Sequence, residues 1–431
     1  MNKHHIHLFV LCTLYVLLAT SCKQEQEDAF DQSASTRMQS ILDEMREQLI
    51  DSEYGWELEY YPSSTLDYGG IVYTIKFDRL NATVGCSLVP GQTETSLYRL
   101  TNDSGPVLTF DSYNSLLHYF STPSPAAYEA LGGEFEFVIS NITHDVITLY
   151  GKRTRNTMYL RRLTASPDEY AQKTVDIFDH FVSSFSGTID GIDVEGKCEL
   201  SDKSIKVSYG GREQTLHFTY NDRGIRLYEP FTVGSKTLQT FAFDKETNML
   251  TCIDEGQEGV TLQGVPFGDD IVHFKDYEGR YTLRYNKGSS TQIKLVPSRI
   301  DGTYRMQGLS SKYELILYYD YSNGHLLLGP QIVGEIDGHS VYFCTYNPDG
   351  SGLWLTGDAM MSIAWNGNKY YSSYLFSPTF PNIYNCNSGV LVIIYTDADG
   401  ELNAQLVDDP EWLVNNSPTL LNLTSLVRVR E

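Results

Sequence analysis

The residues that could do chemistry are scattered along the chain. After position 21 the histidines are His118, His144, His180, His217, His273, His325 and His339, all single, and no H-E-x-x-H or paired-histidine spacing offers a zinc site. A serine nucleophile on a tight elbow would stand in G-x-S-x-G, and that pattern is absent. Asp397, Asp399 and Glu401 alternate as a calcium loop begins, but Gln405 and Asp408 do not supply the bidentate glutamate such a loop needs, so a hairpin turn is expected. Carboxylate pairs for glycoside hydrolysis can be drawn from 55 acidic residues, Glu134 with Glu136 or Asp190 with Asp193 among them. In such excess the spacing selects no pair. The expectation is a protein that is not an enzyme and carries no metal or other cofactor, with an unrecognised glycan hydrolase as an alternative.

Binding chemistry is concentrated from Trp354 to Tyr384. Trp365, Tyr371, Tyr374, Asn366 and Asn368 form the candidate ligand-binding set, since flat rings stack on the C–H face of a sugar while short amides bond its hydroxyls. The same residues suit an ordinary strand pair closed by an Asn-Gly turn. Neighbouring Tyr370 and Tyr371 would face opposite ways on a strand, so at most one joins a platform. Trp56, Tyr60 and Tyr61, in mid-strand directly after a helix, are expected in a core.

The elements that must position these residues are mostly strands. Short apolar-alternating runs separated by Gly, Pro, Asn and Asp predict a mainly β chain, built as antiparallel sandwich or barrel-like units with two amphipathic helices. The first helix spans Asp31 to Ile50, capped by Ser33 or Ser35, with Met38, Ile41, Leu42, Met45 and Leu49 on one face. The second opens at Ser166-Pro167-Asp168-Glu169, a cap with proline at the first helical position, and carries an apolar face to Phe185 before Gly187 ends it. Phe185-Ser-Gly187 and Tyr277-Glu-Gly279 form a faint repeat, an aromatic-x-Gly entry into a strand. Lipocalin-like barrels share that entry, although two residues and a spacing do not carry a fold. The organisation read from these signals is a leader over 1–21, a tether over 22–32, a helix plus β domain over 33–165, another over 166–266, and a β domain over 267–431.

Composition limits the partners. With 55 acidic and 32 basic residues the formal charge is -23, which repels phosphate backbones and makes nucleic acid a poor partner. Of seven cysteines, Cys86, Cys198, Cys252, Cys344 and Cys386 lie beyond the first 22 residues, too widely spaced for a disulfide framework or a C-x-x-C site, and are expected as small buried residues.

The N-terminus carries an address. Leu8 to Ala19 is apolar, too short to span a bilayer, and has the flanks of an export signal. Leu18-Ala19-Thr20-Ser21-Cys22 resembles a bacterial lipobox, with Ala19 where leucine is usual, and makes Cys22 the lipidation site. The run Lys23 to Asp28 looks like the acidic export tag of Bacteroidetes surface lipoproteins. Outer-membrane attachment facing the exterior is the expected location.

Several stretches together resemble the domain-of-unknown-function family 4302. They are Phe30-Asp-Gln-Ser-Ala-Ser-Thr-Arg37, Gly55 to Ser64 with Tyr68-Gly-Gly70, Gly105 to Asn114 with His118-Tyr-Phe120, Gly132 to Phe137, Gly151 to Asn156, Phe218-Thr-Tyr220 and Gly224 to Tyr228. The match is dense from residue 30 to about 163, thinner to about 250 and weak beyond. The resemblance implies a surface lipoprotein encoded beside outer-membrane glycan or peptide uptake systems. It brings no assigned activity and no catalytic or binding residue. The expected function is thus glycan binding as an accessory to nutrient uptake, with a structural or adhesive protein that contacts partner proteins as the alternative.

Overall fold

The computed structural model describes residues 33–429 except 104, 124–128, 258, 269–270, 299–301, 348–351, 356, 358, 368–372 and 380–385. The described residues divide into two units between Met45 and Arg46. Helix α1, Ala34–Ile50, runs through the boundary, and the Ser33 hydroxyl accepts from the Thr36 amide as its cap. Leu42, Met45 and Leu49, three and four apart, are its buried positions, while Ile41 is exposed.

The larger unit is mainly β and contains three closed eight-stranded antiparallel barrels. The first two are unbroken meanders, from Trp56–Tyr60 to Thr157–Arg162 and from Ser184–Ile189 to Thr261–Val265. The third runs from Gly279–Tyr285 to Ser425–Arg428 and is interrupted by an inserted sheet whose main strands are Gln331–Ile336, His339–Tyr346, Ser388–Thr396 and Leu402–Leu406. Eight strands enclose a space that side chains just fill. In the first barrel Trp56, Tyr60, Tyr73 and Phe137 do so, with Tyr60 5.4 Å from Tyr73 and 6.3 Å from Phe137 between ring centres. Ten apolar side chains, among them Phe185, Val207, Leu227 and Phe241, line the second. Alternation sends polar residues outward, as on Thr93–Asn102, where Ser96, Tyr98 and Leu100 are buried and Thr95 and Arg99 are not.

Helix α2, Pro167–His180, starts as its capping signal requires, with the Ser166 hydroxyl accepting from the Glu169 amide at 3.3 Å. It ends sooner than the apolar face implies. Phe181 is its extended C-cap, and Phe185 and Gly187 belong to the first strand of the second barrel. A strand can bury one side chain in two, so the apolar residues 181–185 satisfy strand burial as well as helical burial. Phe185-Ser-Gly187 and Tyr277-Glu-Gly279 each stand at the opening strand of a barrel.

The first two barrels are joined by a polar seam. The outward side of Trp56–Tyr60 is buried as well as the inward side. Arg161 donates to Glu59 at 2.6 Å and lies 3.9 Å from Glu57, and Arg226 of the second barrel approaches Glu59 at 3.6 Å. Burial, and then the neighbouring Glu59 charge, push the Glu57 carboxyl well above the usual carboxylate range. Tyr61 and Tyr228 meet at 4.6 Å, the Gly70 amide donates to the Phe218 carbonyl, and Lys203 Nζ donates to the Tyr68 carbonyl at 2.9 Å. Gly70 lies so close to Thr219 that any side chain there would collide.

Candidate functional site

Cys22, Tyr371 and Asn368 lie outside the described residues. Trp365 and Tyr374 sit opposite each other on the paired strands Met361–Trp365 and Ser373–Pro378. Parity decides what they do. Met361, Ile363 and Trp365 share the inward face, and the Tyr374 ring lies 4.9 Å from Tyr277 and 5.9 Å from Tyr281 at 5% exposure. Tyr374 is therefore a core residue with no face left for a ligand, a correction to the sugar-platform expectation at that position. Trp365 is half-buried, and Asn366 is an exposed turn residue whose amide donates to the Ser373 carbonyl. Asp397 makes a hairpin turn. Its Oδ1 accepts from the Asp399 and Glu401 amides and its Oδ2 from Asn403, which hold its carboxyl below the usual range.

The opposite face of the same strand pair opens on solvent. Ser362 and Ser377, paired across the two strands, line a groove with Asp320, Asn323, His325 and Thr379. His325 Nδ1 lies 2.8 Å from the Ser362 hydroxyl, and burial lowers the imidazole's affinity for a proton. Asp320 does not orient the histidine by a hydrogen bond. Its Oδ1 accepts from Ser322, through both amide and hydroxyl, and its Oδ2 from Asn323.

A second site appears on the first barrel, where Tyr113, His118 and Phe135 form a row. Ring centres are 5.5 Å apart for Tyr113–His118 and 5.4 Å for His118–Phe135, the latter stacked at 26°. The imidazole is 9% exposed, Tyr113 61% and Phe135 41%. Both outer rings thus lie against the histidine and remain exposed.

This row is held firmly although it stands in a long connection. The Ser112 hydroxyl accepts from the Leu97 amide at 2.7 Å. Asn114 is fully buried, and its Oδ1 accepts from the Leu116 and Leu117 amides while its Nδ2 donates to the Glu94 carbonyl and the Ser96 hydroxyl. Glu94 then takes both the amide and the hydroxyl of Ser115. His118 Nδ1 lies 3.1–3.2 Å from the Asn114 backbone, which fixes the ring plane. At the other end Tyr60 grips the backbone of Glu134 from inside the barrel, and the Glu134 carboxylate accepts from the amides of Arg153 and Thr154. Phe135 follows directly, with its carbonyl accepting from Phe110. A backbone held in this way loses little conformational entropy when a flat apolar ligand face settles on the rings it carries.

Sequence periodicity could not reveal this row, because its members are far apart in an irregular connection. All three do lie within the stretches Gly105 to Asn114, His118 to Phe120 and Gly132 to Phe137 that carry the family resemblance. Among the described residues no group of three or more His, Cys, Asp or Glu could hold a metal ion, and no helix is long and apolar enough to cross a membrane.

No curated protein matches the chain. One solved structure similar in part, published as "Structure and mode of action of a mosquitocidal holotoxin", shares 10% identity over 86% of this chain and 51% of that one at a TM-score of 0.17. The chain thus spans about half the length of that structure. Residues 253–392 match a model described as a domain of unknown function, DUF4987. Residues 26–245, covering the first barrel and most of the second, match the model described as Domain of unknown function (DUF4302), and the chain belongs to that family.

Proposed function

We propose that this protein is a cell-surface lipoprotein, held at the outer membrane through lipid on Cys22, which binds glycan as an accessory to a nutrient-uptake system. The observation that carries the binding reading is the exposed row Tyr113–His118–Phe135 on its hydrogen-bonded backbone. Exposed aromatic rings are costly to leave in water unless they meet something, and a pyranose offers them an apolar C–H face with hydroxyls round its edge. The barrels supply the rigid support, and the lipobox with its acidic tether supplies the location. A polysaccharide array probed with the protein and with Tyr113→Ala and Phe135→Ala variants tests this. Retention by at least one glycan, lost in both folded variants, is expected; equal retention by all three removes the row from the reading.

One observation favours a hydrolytic alternative, the Ser362–His325 contact in an open groove. Labelling of Ser362 by a fluorophosphonate, abolished in His325→Ala, would support it. No labelling returns the pair to a structural role.

A further inference from the structure

The inserted sheet ends in an unprotected edge. The strand Leu402–Leu406 pairs on one side with Ser388–Thr396, and no described strand pairs with its other side. Proteins normally blunt such edges with charge, proline or a bulge. Here the five residues are Leu402, Asn403, Ala404, Gln405 and Leu406, without charge or proline, and the two leucines are 66% and 53% exposed.

The ladder shows which backbone groups are free. Asp397 donates to the Glu401 carbonyl, and Val407 donates to the Leu391 carbonyl, so the odd-numbered positions of this strand turn their N–H and C=O inward. By the alternation of antiparallel pairing, Leu402, Ala404 and Leu406 present theirs outward. The side chains of these three share a face with Val392 and Ile394 of the neighbouring strand, part of the apolar cluster around Cys344.

The pattern Leu-Asn-Ala-Gln-Leu reads nearly the same in both directions. We infer that Leu402–Leu406 is a homodimerisation edge that pairs antiparallel with its own copy about a two-fold axis through Ala404. Such pairing sets Leu402 opposite the partner's Leu406 and Asn403 opposite the partner's Gln405, and Ala404 meets itself. Every outward N–H at 402, 404 and 406 then finds a C=O, giving six hydrogen bonds, and the apolar face continues from one sheet into the next. A second copy fits better than an unrelated strand because the self-matching order is built into this strand. An isologous contact also closes on itself rather than growing into a fibre. With a formal charge of -23 on each chain, the contact is opposed at low ionic strength and strengthens as salt screens the repulsion.

The test uses the full chain in a non-ionic detergent, with mass measured by light scattering in low and in raised salt. A mass of two chains is expected, with a larger dimer fraction at raised salt and only monomer for Ala404→Lys, which places two ammonium groups against each other at the axis. Ala404→Lys replaces an exposed side chain, so an unchanged circular dichroism spectrum separates lost pairing from lost folding. Ala404→Cys, treated with a short bismaleimide, is expected to yield a peptide crosslinked to its own copy through position 404, since the Cα atoms of a hydrogen-bonded antiparallel pair lie about 5.5 Å apart. A monomeric wild-type chain at both salts, an Ala404→Lys variant that stays dimeric, or no self-linked peptide would each overturn the proposal.

Discussion

Lys203 offers a quantitative check on the seam between the first two barrels. It is 5% exposed, holds a left-handed backbone conformation at φ 48°, and donates to the Tyr68 carbonyl of the other barrel. Burial depresses its ammonium from 10.5 to about 8. The sign follows from proton binding. Between these values the unfolded chain holds the proton and the folded chain releases it, so this residue's contribution is fully present above the unfolded value and is lost as pH falls through about 8. The span of the shift corresponds to about 3 kcal/mol, of which about 2.5 kcal/mol develops between roughly pH 7 and pH 10. Tyrosines and cysteines titrate over the same range, so the measured quantity is the difference between wild type and Lys203→Met. Urea unfolding followed by circular dichroism is expected to show wild type gaining about 2.5 kcal/mol relative to the variant from roughly pH 7 to pH 10. A difference that stays flat with pH would refute a buried, cross-barrel Lys203.

Other consequences concern packing and the aromatic row. Asn114→Ala removes one acceptor that takes two amides, and two donated bonds, from a fully buried position and is expected to cost about 1–3 kcal/mol, read from urea unfolding of the first barrel through buried Trp56. The same variant should weaken any glycan retention without touching an exposed ring. In the second barrel a Cβ on Gly196 would overlap the Phe185 ring, so Gly196→Ala is expected to lose about 1–3 kcal/mol in urea unfolding followed by circular dichroism. Glu57 works in the opposite sense to Lys203. Its folded-state proton affinity is raised, so the stability it contributes is present below the ordinary glutamate range and falls as pH rises through its elevated value. Glu57→Gln should therefore flatten the decline in stability measured above the ordinary glutamate range.

Much of the fold was legible because alternation is local. Runs such as Ile71–Phe77 and Val146–Gly151 declare themselves as strands from their own composition, and Ser166-Pro167 declares the start of α2. Closure was not legible. The barrels close through Thr261–Val265 and Ser425–Arg428, short strands with weak patterns whose partners lie at the far end of each unit. The inserted strand Gln331–Ile336 is half-buried at every position except exposed Glu335 and gives no alternation to read. For the candidate site, crowding of aromatic residues drew attention to Tyr374, but strand parity turned it into the barrel. The exposed row depends instead on capping by Asn114 and on Tyr60 reaching Glu134, contacts between residues distant in sequence. A hairpin at Asp397 was legible because its signal lies within a few residues.

The proposed sugar-binding face carries Tyr113 and Phe135 rather than the end of the third barrel. Affinity electrophoresis through gels containing a retained polysaccharide compares wild type, Tyr113→Ala, Phe135→Ala and Trp365→Ala directly. Tyr113→Ala and Phe135→Ala are expected to migrate as in empty gels while Trp365→Ala is retarded as wild type is. Retardation kept by the first two and lost by Trp365→Ala would contradict this placement.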